Sequence, residues 1–321
     1  MKQKNGKLKA IDLFAGIGGI RKGFEDADFQ VVYSNDINRY AAQTYAANFD
    51  EMDTTDIREV DEKKLPNFDI LLAGFPCQAF SIAGKKMGFA DTRGTLFFEI
   101  ERILAEKKPK AFLLENVRNL ENHDKGRTLQ TILTVLKEKL GYDVHYTILN
   151  AKDYGVPQNR PRIYMVGFKK KTNFEFPAIK SQVALKTILE KKVHPKYYIS
   201  QKYFEGLEKH RKRHESKGNG FGYQVLDKDG VANALVVGGM GRERNLVKDK
   251  PVLIYKPGLD KLKFKNALGI RKLTIRECAR LQGFEDDFKF PVSETQAYKQ
   301  LGNSVAVPVI RAIAKEMKKH L

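Results

Sequence analysis

The chain of 321 residues is 42% hydrophobic, with glycine and proline at ordinary levels; it can bury a sizeable core, as one large domain or two unequal ones, and is not a disordered polypeptide. Its formal charge of +19 favours an anionic partner, nucleic acid or a membrane surface, without bearing on the fold. Two cysteines far apart in sequence, Cys77 and Cys278, exclude a disulfide framework and point to a reducing compartment, and no Cys/His spacing suits a metal.

Met1 to Lys9 is basic but runs directly into a strand, without a long apolar segment or cleavage site, and nothing approaches the ~18 consecutive apolar residues of a membrane span. Short apolar runs then alternate with amphipathic ones. Leu8–Phe14, Gln30–Asn35, Phe68–Gly74 and Ala111–Asn116 read as buried strands; Ile20–Ala27, Tyr40–Asn48, Thr95–Glu106 and Leu129–Leu140 read as the helices between them. Tyr142–Asn150 and Arg162–Phe168 read as later strands with an antiparallel member. Such alternation implies an α/β, doubly wound sheet with ligands at the C-terminal ends of its strands. After Lys169 the pattern becomes irregular, with a charge-rich helical stretch at Ser200–His214 and glycines at 218, 220, 222, 238, 239 and 241, as in a smaller second domain. Val305–Lys319 has helical spacing and suits a helix packing back on the first domain.

Asp12-Leu13-Phe14-Ala15-Gly16-Ile17-Gly18-Gly19 follows an apolar strand and opens a helix, so its backbone can approach a ligand closely at a helix N-terminus. Asp36 ends the next strand, where a carboxylate can accept from two ribose hydroxyls. Asp56, in Thr55-Asp56-Ile57, ends a following strand-like stretch and suits an adenine amino group. Loop and acids together fit an adenosine-containing cofactor but leave NAD and S-adenosylmethionine both open.

Gly74-Phe75-Pro76-Cys77-Gln78 places a thiol at a strand end beside that cofactor, the location of a nucleophile. Most single cysteines are buried small hydrophobes, and Cys278, inside a helical run, reads that way. Cys77 differs through its neighbours: Glu115-Asn116-Val117 closes a strand at the same sheet edge, and Gln158-Asn159-Arg160-Pro161-Arg162 precedes another. Taken singly, Glu115 suits a strand-end acid and the arginines a salt-bridged surface; a thiol, an acid and two arginines converging describe a reaction on an electron-poor ring.

These segments, followed by Arg280-Leu281-Gln282-Gly283-Phe284 and Gly302-Asn303-Ser304-Val305, resemble in order and over essentially the full chain the DNA cytosine-C5 methyltransferases. The resemblance implies an S-adenosylmethionine-dependent methyltransferase sheet over residues 1–188, completed by 298–321, a target-recognition domain at 189–270 and a hinge at 271–297. It implies that Cys77 attacks cytosine C6, that Glu115 is held protonated against N3, that Arg162 bonds O2 and that Arg160 supports the nucleophile's side of the pocket. Cofactor contacts carry over at Phe14, Ala15, Gly16, Gly18, Gly19, Asp36, Ile37, Asp56, Ile57, Pro76, Leu96, Asn303, Ser304 and Val305. Here Asp36-Ile37 stands where family members often carry Glu-Trp, so Ile37 offers an apolar surface without aromatic stacking.

The target base must leave the helical stack. Ser81 to Arg93, with Lys85 and Lys86, resembles the family's loop that closes over DNA. The region of Gly239, Met240, Arg242, Glu243 and Arg244 is similar to the recognition region of bacterial CCGG-specific modification methyltransferases; the two arginines suit guanine and Glu243 a cytosine amino group. A surface ion-pair cluster is the plainer reading of those charges. The resemblance further implies a monomer acting on double-stranded DNA in the bacterial cytoplasm, with or without a companion restriction endonuclease. A tRNA cytosine methyltransferase and a non-catalytic DNA-binding relative are the alternatives; the long segment between Arg162 and Arg280 favours DNA, and the presence of Cys77, Glu115 and Arg162 favours an enzyme.

Overall fold

Strand β1 (Lys9–Leu13) leads through the glycine loop into helix α1 (Gly19–Glu25), and β2 (Gln30–Asn35), α2 (Arg39–Ala46), β3 (Ile70–Gly74), α3 (Leu96–Lys107) and β4 (Ala111–Val117) continue the alternation. The computed structural model describes residues 6–76, 96–216, 218, 222–237, 243–251, 253–254, 263–264 and 267–321. Helix α4 (Arg127–Thr134) runs on into a π-type turn at Val135–Lys139, followed by β5 (Asp143–Asn150), the short β6 (Gln158–Asn159) and β7 (Pro161–Phe168). Six strands form one sheet in the order β2-β1-β3-β4-β7-β5. The first four are parallel, and β7 is the antiparallel member against both neighbours. Chain direction across the sheet reverses at β1, which has β2 on one side and β3 on the other; open α/β sheets bind ligands at such a switch point.

Alternate side chains of each strand enter opposite faces. Ala10, Ile70, Leu72, Ala111, Leu113 and Tyr164 pack on the side covered by α1. Ile11, Leu71, Ala73, Phe112, Leu114 and Ile163 pack on the side of α3 and α4. The alternation puts Asp12 and Glu115 on the α1 face, Asp12 two positions after Ala10 and Glu115 two after Leu113.

The second region holds helix α5 (Gln201–Glu215) and the short strands β8 (Ala232–Asn233), β9 (Leu246–Lys248), β10 (Leu253–Ile254), β11 (Lys263–Phe264) and β12 (Ile270–Lys272). They form two-stranded pairs: β8 beside β6, β9 with β12, β10 with β11. Ser200 caps α5 by accepting from Tyr203 N–H, and Lys212 and Arg213 sit in its last turn, where cations oppose the helix dipole. Strand β12 runs across the expected boundary at 270. Its Arg271, fully buried, donates to both oxygens of Glu277 at 2.8 and 2.9 Å and to Asp249 at 3.0 Å. Glu277 belongs to helix α6 (Ile275–Leu281), which precedes α7 (Glu294–Asn303) and α8 (Val307–Lys318). Helix α8 lies against α1 so closely that a Cβ on Gly23 would meet Ile310 Cγ2 at 2.5 Å. Among the described residues, no helix is long and apolar enough to cross a membrane.

The expected strand-like stretch before Asp56 does not form. That chain makes a single bridge, Asn35 with Asp53, because Asp56 precedes a turn that its own carboxylate stabilises by accepting from Arg58 N–H at 3.0 Å.

Candidate active site

The glycine loop leaves β1 with Phe14 and Gly16 at φ 55° and 56°, and Gly18 at 83° begins α1 without a side-chain cap. A Cβ on Gly16 would meet nothing within 4 Å, so the loop has an open side there. Asp36 lies across it, accepting from Gly16 N–H through Oδ2 and from Asn38 N–H through Oδ1, both at 2.9 Å. A carboxylate has about four acceptor sites, so each oxygen keeps one lone pair. Burial pushes the Asp36 carboxyl up and the two N–H donors pull it down; the net direction is up. Ile37, 62% exposed, extends an apolar face beside it. On the other side Gly19 is pressed against Ser304 and Val305, where an added Cβ would sit 2.8 Å from Ser304 Oγ and 2.9 Å from Val305 Cγ2. Ala15, Ser304 and Val305 are buried, Pro76 and Asn303 are exposed, and Leu96 is half-buried at the start of α3.

Two expected cofactor residues make contacts within the chain itself. Asp56 is held by Arg58, whose side-chain and backbone N–H bonds lower its carboxyl to about 2. The Ile57 side chain is in the core below α3, and its carbonyl accepts from Arg102 at 2.9 Å.

Gly74 at the end of β3 is opposite Glu115 on β4, and Phe75 accepts a 3.0 Å hydrogen bond from Asn116 Nδ2. The two strand ends are therefore fixed to one another immediately before Cys77, which lies outside the described residues. Glu115 is buried, with Oε1 3.2 Å from Arg162 Nε on β7. Burial pushes its carboxyl up, and the charges of Arg162 and then Arg160 pull it down; the net direction is up. A carboxyl of that kind holds its proton at a higher pH than an exposed glutamate.

Arg160 points elsewhere than Arg162. It is buried and donates to the carbonyls of Leu235 (2.7 Å), Gly302 (2.9 Å) and Ser304 (2.6 Å). Burial first, then the charge of Arg162, push its guanidinium down to about 9 while Glu115 opposes them, so it remains a cation at neutral pH.

Of the residues expected to meet DNA, Ser81, Lys85, Lys86, Arg93, Gly239, Met240 and Arg242 lie outside the described residues. Arg244 is exposed, and its carbonyl accepts from Asn233 Nδ2 at 2.8 Å. The suggestion that Glu243 reads a cytosine is corrected: its carboxylate is buried and accepts from Lys272 Nζ at 2.7 Å and Tyr203 Oη at 2.9 Å. Burial would raise its pKa, but these two donors outweigh it and hold the carboxyl low. Cys278, read as a core residue, is buried among Ala279, Leu281 and Phe284.

Sequence reasoning assigned no role to Asp12, although an acid inside an apolar strand on the same face as Ala10 is its signal. Asp12 is fully buried and accepts from Arg21 N–H at 3.2 Å, supplying the start of α1 with the cap Gly18 cannot give. Burial pushes its carboxyl up to about 8, against the pull of the Arg21 N–H and charge.

A sequence model of the family C-5 cytosine-specific DNA methylase matches residues 8–319. The chain is similar to the type II methyltransferase M.HpaII of Haemophilus parainfluenzae, 53% identical over 323 residues that cover 98% of this chain and 90% of that protein. The type II methyltransferase M1.ScrFI of Lactococcus lactis subsp. cremoris is 49% identical, over 98% of this chain and 79% of its own length. Among solved structures, that of the Entamoeba histolytica methyltransferase EhMeth has the same fold, with a TM-score of 0.76 at 20% identity over 98% of both chains.

Proposed function

The chain belongs to the C-5 cytosine-specific DNA methylase family, and on that premise we propose that it methylates the inner cytosine of CCGG in double-stranded DNA, in a type II restriction–modification system or as a solitary enzyme. S-adenosylmethionine-dependent methylation of cytosine C5 is the activity of the family and of this chain. The observation that carries the catalytic assignment is the buried Glu115 carboxyl, paired with Arg162 at the sheet edge where β3 runs into Cys77.

The residues around the loop fit the cofactor: an open side at Gly16, two remaining lone pairs on Asp36 and the exposed face of Ile37. Asp36 would hold the ribose hydroxyls, Ile37 the adenine, and Phe14, Pro76, Leu96, Asn303 and Val305 the remaining walls. S-adenosylmethionine held there supplies the methyl group that C5 acquires.

The chain's own residues do the rest. The Cys77 thiolate adds to C6 of a flipped-out cytosine and makes C5 a carbon nucleophile. Glu115, whose carboxyl burial pushes up, would donate to N3 and limit the negative charge the ring accumulates. Arg162 donates to O2 while restraining Glu115. Arg160, with its guanidinium on three backbone carbonyls, supports the pocket from behind. Loss of the C5 proton and of the thiolate then restores Cys77.

Residues 189–270, attached through 271–297, would form the far wall of the DNA cleft, with lysines on phosphates and Arg242 and Arg244 on guanines. The similarity of the segment around Gly238–Leu246 to CCGG-specific recognition regions supports the target. The enzyme would work as a monomer in the cytoplasm. Bisulfite sequencing of a plasmid methylated in vitro tests the target, with tRNA as a second substrate. Modification of inner cytosines in CCGG is expected; methylation confined to other contexts, or preferred on tRNA, contradicts it.

A further inference from the structure

Three buried side chains, none of which touches a reacting atom, join four separate segments. Gln158 Nε2 donates to Leu281 O at 2.8 Å and to Gln282 Oε1 at 3.1 Å, while Gln158 Oε1 accepts from Leu235 N–H at 3.0 Å. Gln282 Nε2 in turn donates to Leu301 O at 2.6 Å and more weakly to Ser304 O at 3.3 Å, and Gln282 O accepts from Val307 N–H. Arg160 spans the same gap, with Nη1 on Leu235 O and Nη2 on Gly302 O and Ser304 O. Gln158 and Gln282 are fully buried. Hydrogen bonds of this kind in a low-dielectric interior specify one arrangement, because any other leaves polar groups without partners.

The segments joined lie between the two binding regions. Ser304 and Val305 touch Gly19 of the cofactor loop. Leu235 begins the segment that packs on Gly302 so tightly that an added Cβ would sit 3.0 Å from Val236 C and 3.1 Å from Val237 N. Val237 leads in sequence to the expected recognition residues 238–242, and the far side of that stretch is anchored too, since Asn245 Oδ1 accepts from Asn233 N–H at 2.9 Å. A contiguous buried path thus runs from Gly19 through Ser304, Gln282 and Gln158 to Leu235.

We propose that Gln158 and Gln282 are positioning residues that couple occupation of the cofactor cleft to the placement of the Leu235–Val237 segment, so that cofactor and target DNA strengthen one another's binding. The inference rests on the cofactor cleft and recognition segment proposed above. Neither glutamine touches a reacting atom; each acts by fixing the backbone of Leu235, Leu301 and Ser304.

Coupling between sites is reciprocal and typically amounts to ~5–150-fold in affinity. The test measures the dissociation constant of a duplex with and without S-adenosylhomocysteine, by fluorescence anisotropy, and the converse, for the wild type, Gln158→Met and Gln282→Met. Methionine keeps the length and unbranched shape but removes the donors and acceptor. The duplex is whichever sequence bisulfite mapping shows the wild type to methylate, so failure of the CCGG assignment changes the probe and not the outcome. The wild type is expected to show at least about fivefold coupling. Each variant is expected to fall below about twofold while its affinity for either ligand alone stays within about threefold. Gln158→Glu, which retains an acceptor for Leu235 N–H, serves if a methionine variant does not fold, and should keep more coupling than Gln158→Met or, where that variant does not fold, than Gln282→Met. Wild-type coupling in the variants, its absence from the wild type, or a Gln158→Glu factor no higher than that of the methionine variant overturns the proposal.

Discussion

Glu115 on β4 and Arg162 on β7 meet diagonally across an antiparallel pair, with Oε1 3.2 Å from Nε, while Glu115 is directly opposite Tyr164 and Arg162 opposite Val117. Burial raises the pKa of the carboxyl, while Arg162 restrains the side chain and pulls the other way by less. Glu115→Gln preserves size and an N–H donor but cannot hold a transferable proton. Its methyl-transfer rate should fall by ~10²–10⁴ with little change in duplex binding. Single-turnover kinetics give the rate and anisotropy the binding; a loss under about tenfold would place Glu115 outside the chemical step.

Asp12 makes stability depend on pH. Its carboxyl is raised to about 8 in the folded protein from an ordinary 3.8, so the folded state holds a proton that the unfolded chain has released between those values. The associated stabilisation is complete below the lower value and is lost as pH rises through the upper one. Asp12→Asn keeps an acceptor for Arg21 N–H but does not titrate. Urea melts from pH 5 to 9 should show the wild type losing stability relative to Asp12→Asn as pH rises, and a pH-independent difference would mean that Asp12 does not titrate in this range.

Ile37, exposed beside Asp36, is proposed to face the adenine, where it would give a surface without π-stacking. Aromatic contacts contribute roughly 0.5–1.5 kcal/mol beyond area burial, so Ile37→Trp should tighten S-adenosylmethionine binding by about 2–10-fold. Equilibrium dialysis reads this directly. Unchanged or weaker binding would show that Ile37 does not face the adenine.

Much of this arrangement was legible in the sequence because it follows from local pattern. The apolar runs marked β1 to β4 within a few residues, and acids at strand ends marked Asp36 and Glu115, since a strand end carries its side chain to the sheet edge. The stretch before Asp56 read as strand-like but forms a turn, because the Asp56 carboxylate accepts from Arg58. Glu243 was misread because nothing local reveals that Lys272 neutralises it. The Gln158–Gln282 contact joins residues 124 apart in the chain, and only the folded protein discloses that the two motifs meet.

Mechanism-based trapping tests most directly whether Cys77 forms a covalent bond with a DNA cytosine. A duplex with 5-fluorocytosine at every cytosine removes any dependence on the target sequence, and fluorine cannot leave C5 as a proton does. With S-adenosylmethionine present, the wild type should form a denaturation-resistant adduct whose digestion places the nucleotide on Cys77, while Cys77→Ser should bind the duplex and form none. No adduct with the wild type, or an equal yield from Cys77→Ser, would contradict the account.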